Sequence, residues 1–348
     1  MKLSVFSAKQ YDRRYFDAVH TRFSSRGFSI KITYHEYALD GSTASSVQDA
    51  DAICAFVNDT LSGSVIATLA HNGVKAILLR CAGYDHVDLE AATEHGLMVA
   101  NVPSYSPESV AEFAVAMAQT LNRNTHRAYN RVRKGNFPIN GLLGQILCGK
   151  TVGLLGTGKI GLATARIMKG FGCQVLAYDP FPSADLLQYG EYKSLDEVLA
   201  KSDVISLHCP LMEATRYLVN EDTIMKMKEG VLLVNTSRGG LIDTTAVIKA
   251  LKTKQIGGVA LDVYGGEVSL FYDDRSGKII HDDVLMRLIS FHNVIVTGHQ
   301  AFFTKEALYK IAECTLKNLE EFVAEERAET CLTSIWGQIQ SPCSQGGH

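Results

Sequence analysis

Between residues 3 and 102, short apolar runs alternate with longer amphipathic segments. The runs LSVFS (3–7) and DAICAF (51–56) have the length and composition of buried strands, and residues 11–23 carry apolar side chains at helical spacing. The alternation continues through SIKITYHEY, SGSVIATLAHN, GVKAILLR, VDLEAATEHG and LMVANV. Short strands separated by helices predict βα units that build a parallel sheet.

A second alternation of the same kind begins at residue 151. Its apolar runs recur with helical segments between them and predict six strands: TVGLLG, QVLAYD, DVISLHC, VLLVNTS, GGVALDV and NVIVTG. Their number and order predict an α/β, doubly wound fold of the dinucleotide-binding type. An amphipathic helix, KEALYKIAECTLKNLEEFVAEE, follows, and residues 337–348 are expected to form a flexible tail.

Prolines separate the two alternations. Pro103 and Pro107 disfavour helical geometry in the residues before them, which predicts a crossing between two domains at this point. A helix over residues 107–122 is expected to begin directly afterwards, because Ser106 is a good N-cap and proline is tolerated in the first helical position.

The composition and charge of the chain limit the partners that it could bind. A chain of 348 residues with 46% hydrophobic content is long enough for two domains, and its formal net charge of −3 offers no excess of positive charge to a nucleic acid or an anionic membrane. The amino terminus soon turns polar, and no apolar run approaches the ~20 residues that span a bilayer. We therefore expect a soluble, cytoplasmic protein.

The eight cysteines form no C-x-x-C pair and occur mostly within apolar segments. A thiol in such a segment behaves as a small hydrophobic side chain, so we expect reduced, structural cysteines and no metal site. Cys331 and Cys343, near the end of the chain, could pair on oxidation.

The segment GTGKIG has the spacing of a dinucleotide-binding turn. Gly156 would take the tight turn, Gly158 would let backbone amides approach a pyrophosphate, and Gly161 would let the following helix lie close to the strand. Asp179 ends the next predicted strand, where a carboxylate accepts hydrogen bonds from the ribose of NAD and repels the 2′-phosphate of NADP. The turn therefore predicts NAD as the cofactor, although Lys193 could modify this preference.

Three charged side chains follow predicted strands, and in a doubly wound sheet ligands bind beyond the carboxyl ends of the strands. Arg238 could grip a carboxylate through two parallel hydrogen bonds; the alternative is that it caps a helix or pairs with Asp243. His299 could give a proton to a carbonyl oxygen as hydride arrives at the carbon. Glu267 could fix the tautomer of that histidine and favour its protonated form.

In order along the chain, the glycine turn, NTSRGG, LDVYGGE and TGHQA resemble the D-isomer-specific 2-hydroxyacid dehydrogenases, and the likeness extends over nearly the whole length. Within that family the chain is most similar to the fermentative D-lactate dehydrogenases, through LLRCAGYDHVDL, NVPSYSPESVAEFAV, SLFYDDRSGKIIHDDV and NVIVTGHQAFFTKEAL. The resemblance implies a nucleotide domain inserted into a discontinuous, flavodoxin-like substrate domain. It places the substrate domain at residues 1–103 and 300–336 and the NAD-binding domain at residues 104–299, with crossings near 101–106 and 297–301.

The same resemblance implies an activity and residue roles. The expected reaction is the reversible, NAD-dependent reduction of a 2-oxo acid, foremost pyruvate to D-lactate, by a homodimer or a dimer of dimers. Arg238 would anchor the substrate carboxylate, His299 would donate the proton, and Glu267 would tune the histidine. Substrate contacts are also implied for the backbone amides of Ala82 and Gly83 and for Tyr105. Cofactor contacts are implied, beside the three glycines, for Lys159, Ile160, Asp179, Cys209, Pro210, Thr215, Thr236, Ser237 and Asp262.

Two positions depart from the family pattern. Where lactate-specific members often have a second glutamate, this chain has Gly265, and where many members have a proline after the catalytic glutamate, it has Val268. Phe302 and Phe303 are expected near the mouth of the site, where they would limit the size of the acid. The alternatives are a different acid, such as phenylpyruvate, hydroxypyruvate or glyoxylate, and a NAD-binding corepressor of the C-terminal binding protein type.

Overall fold

A computed structural model describes residues 1–267, 270–324 and 330–333 of the chain. It divides into unit 1, which contains residues 1–106 and the chain from residue 304 onward, and unit 2, which contains residues 107–303. Three sequence expectations lie outside the described residues: the tail at 337–348, the pairing of Cys331 with Cys343, and the effect of Val268 on its loop.

The first segment of unit 1 forms a five-stranded parallel sheet. Its strands are β1 (Lys2–Val5), β2 (Lys31–Tyr34), β3 (Ala52–Ala55), β4 (Ala76–Leu79) and β5 (Met98–Ala100), and its helices are α1 (Gln10–Ser24), α2 (Gly63–His71) and α3 (Leu89–Glu94). The strand order β2-β1-β3-β4-β5 is that of flavodoxin. Every residue of β3 and β4 is buried, as expected for the centre of a parallel sheet with helices on both faces.

Unit 2 contains a seven-stranded parallel sheet in the order β12-β11-β10-β9-β6-β7-β8. The strands are β6 (Thr151–Leu155), β7 (Gln174–Tyr178), β8 (Glu191–Tyr192), β9 (Val204–Leu207), β10 (Val231–Asn235), β11 (Ile256–Leu261) and β12 (Val294–Val296). The helices are α4 (Pro107–Arg123), α5 (Thr125–Val132), α6 (Lys159–Gly170), α7 (Leu195–Lys201), α8 (Glu221–Met225), α9 (Thr244–Thr253) and α10 (Asp283–Ile289). The chain order reverses between β6 and β9, which confirms the doubly wound α/β fold.

Two elements of unit 2 were not expected from the sequence. The strand β8 has only two residues and lies at the sheet edge beside β7, so it is too short to produce a hydrophobic alternation. The helix α5 has no buried residue, and its sequence THRAYNRV contains few apolar side chains. Because periodicity reveals a helix through its buried face, a short helix without a buried residue escapes this kind of prediction.

The helix α11 (Lys305–Val323) returns the chain to unit 1. Its buried residues Leu316 and Leu319 join the same hydrophobic core as Phe16 and Val19 of α1. An ion pair between Arg22 and Glu313 links the two helices at their edge. Neither α11 nor any other helix among the described residues is long and apolar enough to cross a membrane.

Unit 1 also contains a buried ion pair. Arg80 follows β4, and its Nε donates to Asp12 Oδ1 of α1 at 3.2 Å, with the two side chains only 2% and 7% exposed. The guanidinium Nη2 donates to the Ser7 carbonyl at 2.9 Å and its carbon lies 4.6 Å from the ring centroid of Phe56. The pair therefore joins α1 to the loops that follow β1, β3 and β4.

We expect Asp12→Asn to lower the free energy of unfolding by about 3 kcal/mol, because it removes the carboxylate that pairs directly with the buried Arg80. Urea unfolding followed by circular dichroism measures this loss. The matched control is Asp49→Asn, the same chemical change at an exposed ion pair with Lys2, which should alter unfolding little. Equal effects of the two substitutions would contradict the prediction.

Candidate active site

The glycine turn joins β6 to α6 at the point where the strand order reverses. Gly156 has a φ of +99°, and a Cβ at this position would lie 2.6 Å from the backbone of His208. A Cβ at Gly161 would lie 2.2 Å from the carbonyl oxygen of Gly156. Gly158, the N-cap of α6, has no heavy atom within 4 Å of its Cβ position. The turn is therefore packed tightly against the backbone at His208 and against the start of α6. The space at the N-terminus of α6 is open, and a pyrophosphate fits there.

Asp179 follows β7 and bonds to the same turn. Its Oδ2 accepts the backbone N–H of Thr157 at 2.7 Å and the Thr157 hydroxyl at 2.9 Å, and its Oδ1 accepts the N–H of Phe181 at 2.9 Å. The ammonium of Lys193 pairs with Glu191 at 3.0 Å. The Asp179 carboxylate is thus held beside the glycine turn, which fits the ribose of NAD.

Two further loops follow β9 and β10, the next strands in the sheet. In the first, Thr215 donates its hydroxyl to the carbonyl of Pro210 at 2.7 Å, and burial raises the pKa of Cys209 to about 11, which keeps its thiol neutral. In the second, Thr236 is 7% exposed, and its hydroxyl has no hydrogen-bond partner within the described chain. These loops lie at the carboxyl edge of the sheet, where the glycine turn also lies.

Arg238 lies in the loop after β10. Its Nη1 donates to the Ser237 carbonyl at 2.9 Å, and the Ser237 hydroxyl donates to the Leu207 carbonyl at the end of β9. A Cβ at Gly239 would lie 2.1 Å from the carbonyl carbon of Tyr264, so glycine is needed for the two loops to lie together. The loop that carries Arg238 therefore packs directly on the loop that leads to Glu267.

The sequence left open a role for Asp243 as a partner of Arg238. In the structure Asp243 is the N-cap of α9, and its Oδ1 accepts the backbone N–H of Thr245 at 2.9 Å. A capping role for this carboxylate follows.

Glu267 and His299 form a hydrogen-bonded pair. His299 Nδ1 lies 2.8 Å from Glu267 Oε1, and the two side chains are 16% and 17% exposed. The second oxygen, Oε2, accepts the backbone N–H of Tyr264 at 2.7 Å, which fixes the carboxylate. Because a carboxylate accepts, we assign the hydrogen of this bond to Nδ1, which leaves Nε2 to exchange a proton with another group.

Asp262 holds the loop that carries this histidine. Its Oδ1 accepts the N–H of Gln300 at 2.9 Å and the hydroxyl of Thr297 at 2.5 Å, and its Oδ2 accepts the N–H of Ala301 at 2.8 Å. Burial raises the pKa of this carboxyl, while the hydrogen bonds from the loop act in the opposite direction. The carboxylate is therefore engaged with the segment on both sides of His299.

Phe302 and Phe303 follow the same loop. Their ring centroids lie 6.0 Å apart in an edge-to-face arrangement. Phe302 is 8% exposed and Phe303 is 48% exposed, so of these two rings only that of Phe303 presents a large apolar surface to solvent.

Unit 1 contains the other substrate residues that the resemblance implied. Asn101 Nδ2 donates to the carbonyl of Ala82 at 2.8 Å. The C=O and N–H of a trans peptide point in opposite directions, so the N–H of Gly83 is directed away from Asn101. Tyr105 is half-buried near the end of the first segment of this unit. The Ala82–Gly83 peptide is thus fixed in one orientation.

Some residues that shape these loops were overlooked in the sequence. His208 directly follows β9, and burial lowers its pKa to about 4, so the ring is neutral near pH 7. A search for polar residues after every strand, not only charged ones, would have found His208 and Asn101. Tyr264 and Tyr272 carry no such signal, because their contacts depend on how the loops fold back.

Comparisons with known proteins agree with this geometry. Residues 115–301 match the family model described as the NAD binding domain of D-isomer specific 2-hydroxyacid dehydrogenases. The chain is 60% identical to 2-hydroxyacid dehydrogenase A of Aspergillus oryzae over 96% of this chain and 95% of that protein. It superposes on a solved D-lactate dehydrogenase from Escherichia coli with a TM-score of 0.87 and 47% identity, covering 96% of this chain and 100% of that one.

A solved structure of D-lactate dehydrogenase with NAD⁺ from Lactobacillus jensenii is also similar, with a TM-score of 0.80 and 32% identity over 96% of this chain and 100% of that one. The fold, the open glycine turn and the extent of sequence identity lead to the same conclusion. The chain belongs to the D-isomer-specific 2-hydroxyacid dehydrogenase family and is an NAD-dependent enzyme that interconverts 2-oxo acids and D-2-hydroxy acids.

Proposed function

We propose that pyruvate is the preferred 2-oxo acid of this enzyme, that D-lactate is the product, and that Arg238, Glu267 and His299 carry out the reaction. The choice of pyruvate is supported by the similarity to structures named D-lactate dehydrogenase, and the role of His299 is supported by the 2.8 Å contact between its Nδ1 and Glu267 Oε1 on a fixed carboxylate. A histidine held in this way presents one nitrogen for proton transfer.

The cofactor supplies or accepts the hydride. In the direction of reduction, the protonated His299 gives the proton on Nε2 to the carbonyl oxygen, and Glu267 stabilises the positive ring until the proton leaves. In the opposite direction, neutral His299 takes the hydroxyl proton through the same nitrogen. The pair therefore serves as acid in one direction and as base in the other.

Substrate binding is assigned to Arg238 and to unit 1. The planar guanidinium matches a carboxylate through two parallel hydrogen bonds. In unit 1, the N–H groups of Ala82 and Gly83 and the side chain of Tyr105 are proposed as substrate contacts. This assignment is supported by the fixed orientation of the Ala82–Gly83 peptide.

We assign NAD binding to unit 2 and the substrate-domain role to unit 1. The N–H groups at the start of α6, from Lys159 and Ile160, would hold the pyrophosphate, and Asp179 would hold the ribose. The loops after β9, β10 and β11 would complete the cofactor site through Cys209, Pro210, Thr215, Thr236, Ser237 and Asp262. The orphaned hydroxyl of Thr236 supports this assignment, since a buried hydroxyl without a partner is costly.

A homodimer, or a dimer of dimers, is also proposed. The segment from α5 to the start of β6 exposes large apolar side chains to solvent: Tyr129, Val132, Phe137, Ile139, Leu143 and Ile146. Leu143 is 95% exposed, and an apolar patch of this kind favours burial against another surface. The cytoplasmic location stays a prediction of the sequence.

The proposed substrate is tested by measuring NADH oxidation by the pure protein with pyruvate, phenylpyruvate, hydroxypyruvate and glyoxylate. We expect the highest kcat/KM with pyruvate and a product that chiral chromatography identifies as D-lactate. A higher kcat/KM with any of the other three acids would show that the preference has been assigned wrongly.

His299→Asn should lower kcat by about 10² to 10⁴-fold, because it removes the proton donor while keeping a polar side chain. Steady-state kinetics with pyruvate and NADH measure the loss. His71→Asn, the same change at an exposed histidine at the end of α2, is the control and should have wild-type kinetics. A fully active His299→Asn enzyme would disprove the role of the histidine.

Arg238→Lys should raise the KM for pyruvate strongly and lower kcat as well, because lysine keeps the charge but loses the paired donors that orient the carboxylate. The affinity for NADH, followed by its fluorescence, should change little. Normal kinetics with pyruvate in this variant would overturn the assignment of Arg238.

A further inference from the structure

Residues 270–272 contact both Glu267 and His299. The backbone N–H groups of Leu270 and Phe271 both donate to the Glu267 carbonyl, at 2.9 and 2.8 Å. The next residue, Tyr272, donates its hydroxyl to the carbonyl oxygen of His299 at 3.2 Å. Its ring centroid lies 6.0 Å from that of the imidazole. Glu267 thus contacts His299 directly with its side chain, and its carbonyl oxygen binds the N–H groups of the two residues that precede Tyr272.

The carbonyl that accepts this hydrogen bond belongs to the peptide between His299 and Gln300. The N–H of the same peptide donates to Asp262 Oδ1 at 2.9 Å. Because the C=O and N–H of a trans peptide point in opposite directions, Tyr272 and Asp262 hold this peptide from opposite sides. Rotation of this peptide about the line between the Cα atoms of His299 and Gln300 is therefore restrained by one hydrogen bond at its C=O and one at its N–H.

The restraint matters because the backbone of His299 is unusual. Its φ is +54°, in the left-handed region that residues with a Cβ disfavour. Such a conformation persists only where neighbouring groups hold it, and it is frequent at functional sites. The peptide after His299 sets the ψ of this residue, so the two hydrogen bonds fix the second backbone torsion at a position whose φ is already unfavourable, and with it the direction of the imidazole toward Glu267.

We propose that Tyr272 is a positioning residue for proton transfer: its hydroxyl holds the His299 carbonyl and so keeps the imidazole aligned with Glu267 and with the substrate. This inference rests on the proposed role of His299 as proton donor. The hydroxyl is the acting group, and phenylalanine at this position would keep the ring beside the imidazole while removing the hydrogen bond to the His299 carbonyl.

We expect Tyr272→Phe to lower kcat by about three- to tenfold, the usual effect of losing one neutral hydrogen bond. The rate of a single turnover, followed by stopped-flow absorbance of NADH, should fall by the same factor. The KM for pyruvate and the affinity for NADH should stay unchanged, because the residues assigned to the carboxylate and the cofactor are untouched. Tyr309→Phe, on the exposed face of α11, is the matched control and should have wild-type kinetics.

A double-mutant cycle tests whether Tyr272 acts through the histidine. In the His299→Asn background, Tyr272→Phe should cause no further loss of kcat. An undiminished further loss in that background, a wild-type kcat in Tyr272→Phe alone, or a parallel weakening of NADH binding would each overturn the inference.

The cycle also separates this inference from the function on which it rests. Full activity in His299→Asn would refute the proton-donor role itself and, with it, the role of Tyr272. An inactive His299→Asn enzyme together with a fully active Tyr272→Phe enzyme would refute the role of Tyr272 alone.

Discussion

The buried carboxylate of Asp262 is the group on which the geometry of the site depends. It lies directly after β11 and accepts hydrogen bonds from Thr297, Gln300 and Ala301, which ties the loop after β12 to the neighbouring strand. Burying an ionised carboxylate is costly unless donors surround it, and those donors are here supplied by the loop itself. The position of His299 therefore depends on a side chain whose bonds are to the protein backbone and to one hydroxyl.

Close backbone contacts impose the second constraint. Gly161 brings the start of α6 against the turn at Gly156, and Gly239 brings the Arg238 loop against the loop at Tyr264. In both places a single methyl group would overlap main-chain atoms, so these contacts do not tolerate a side chain. The first contact leaves the helix N-terminus open to phosphate, and the second places a guanidinium beside the loop of the carboxylate–histidine pair. The glycine turn, Arg238 and the carboxylate–histidine pair thus lie at one edge of the sheet.

Much of this arrangement could be predicted from the sequence. The alternation of apolar runs and amphipathic segments indicated parallel α/β sheets, because buried strands and one-sided helices have different periods. The rule that ligands bind beyond strand ends selected Arg238 and His299. The left-handed backbone of His299 and the hydrogen bond from Tyr272 could not be predicted, since they depend on a turn that folds back from a distant part of the chain. The helix α5 was missed because it is short and has no buried residue, and the strand β8 because it has only two residues.

Because its two segments are far apart in the chain, unit 1 can be completed only late in synthesis on the ribosome. Arg22 of α1 pairs with Glu313 of α11 across 291 positions of the chain, and the apolar face of α1 shares its core with α11. At about 5–20 residues per second, roughly 15–60 s of translation separate the two helices. During that interval the first segment exposes the apolar face of α1 that later packs with α11, and exposed apolar surface of this kind promotes aggregation and chaperone binding.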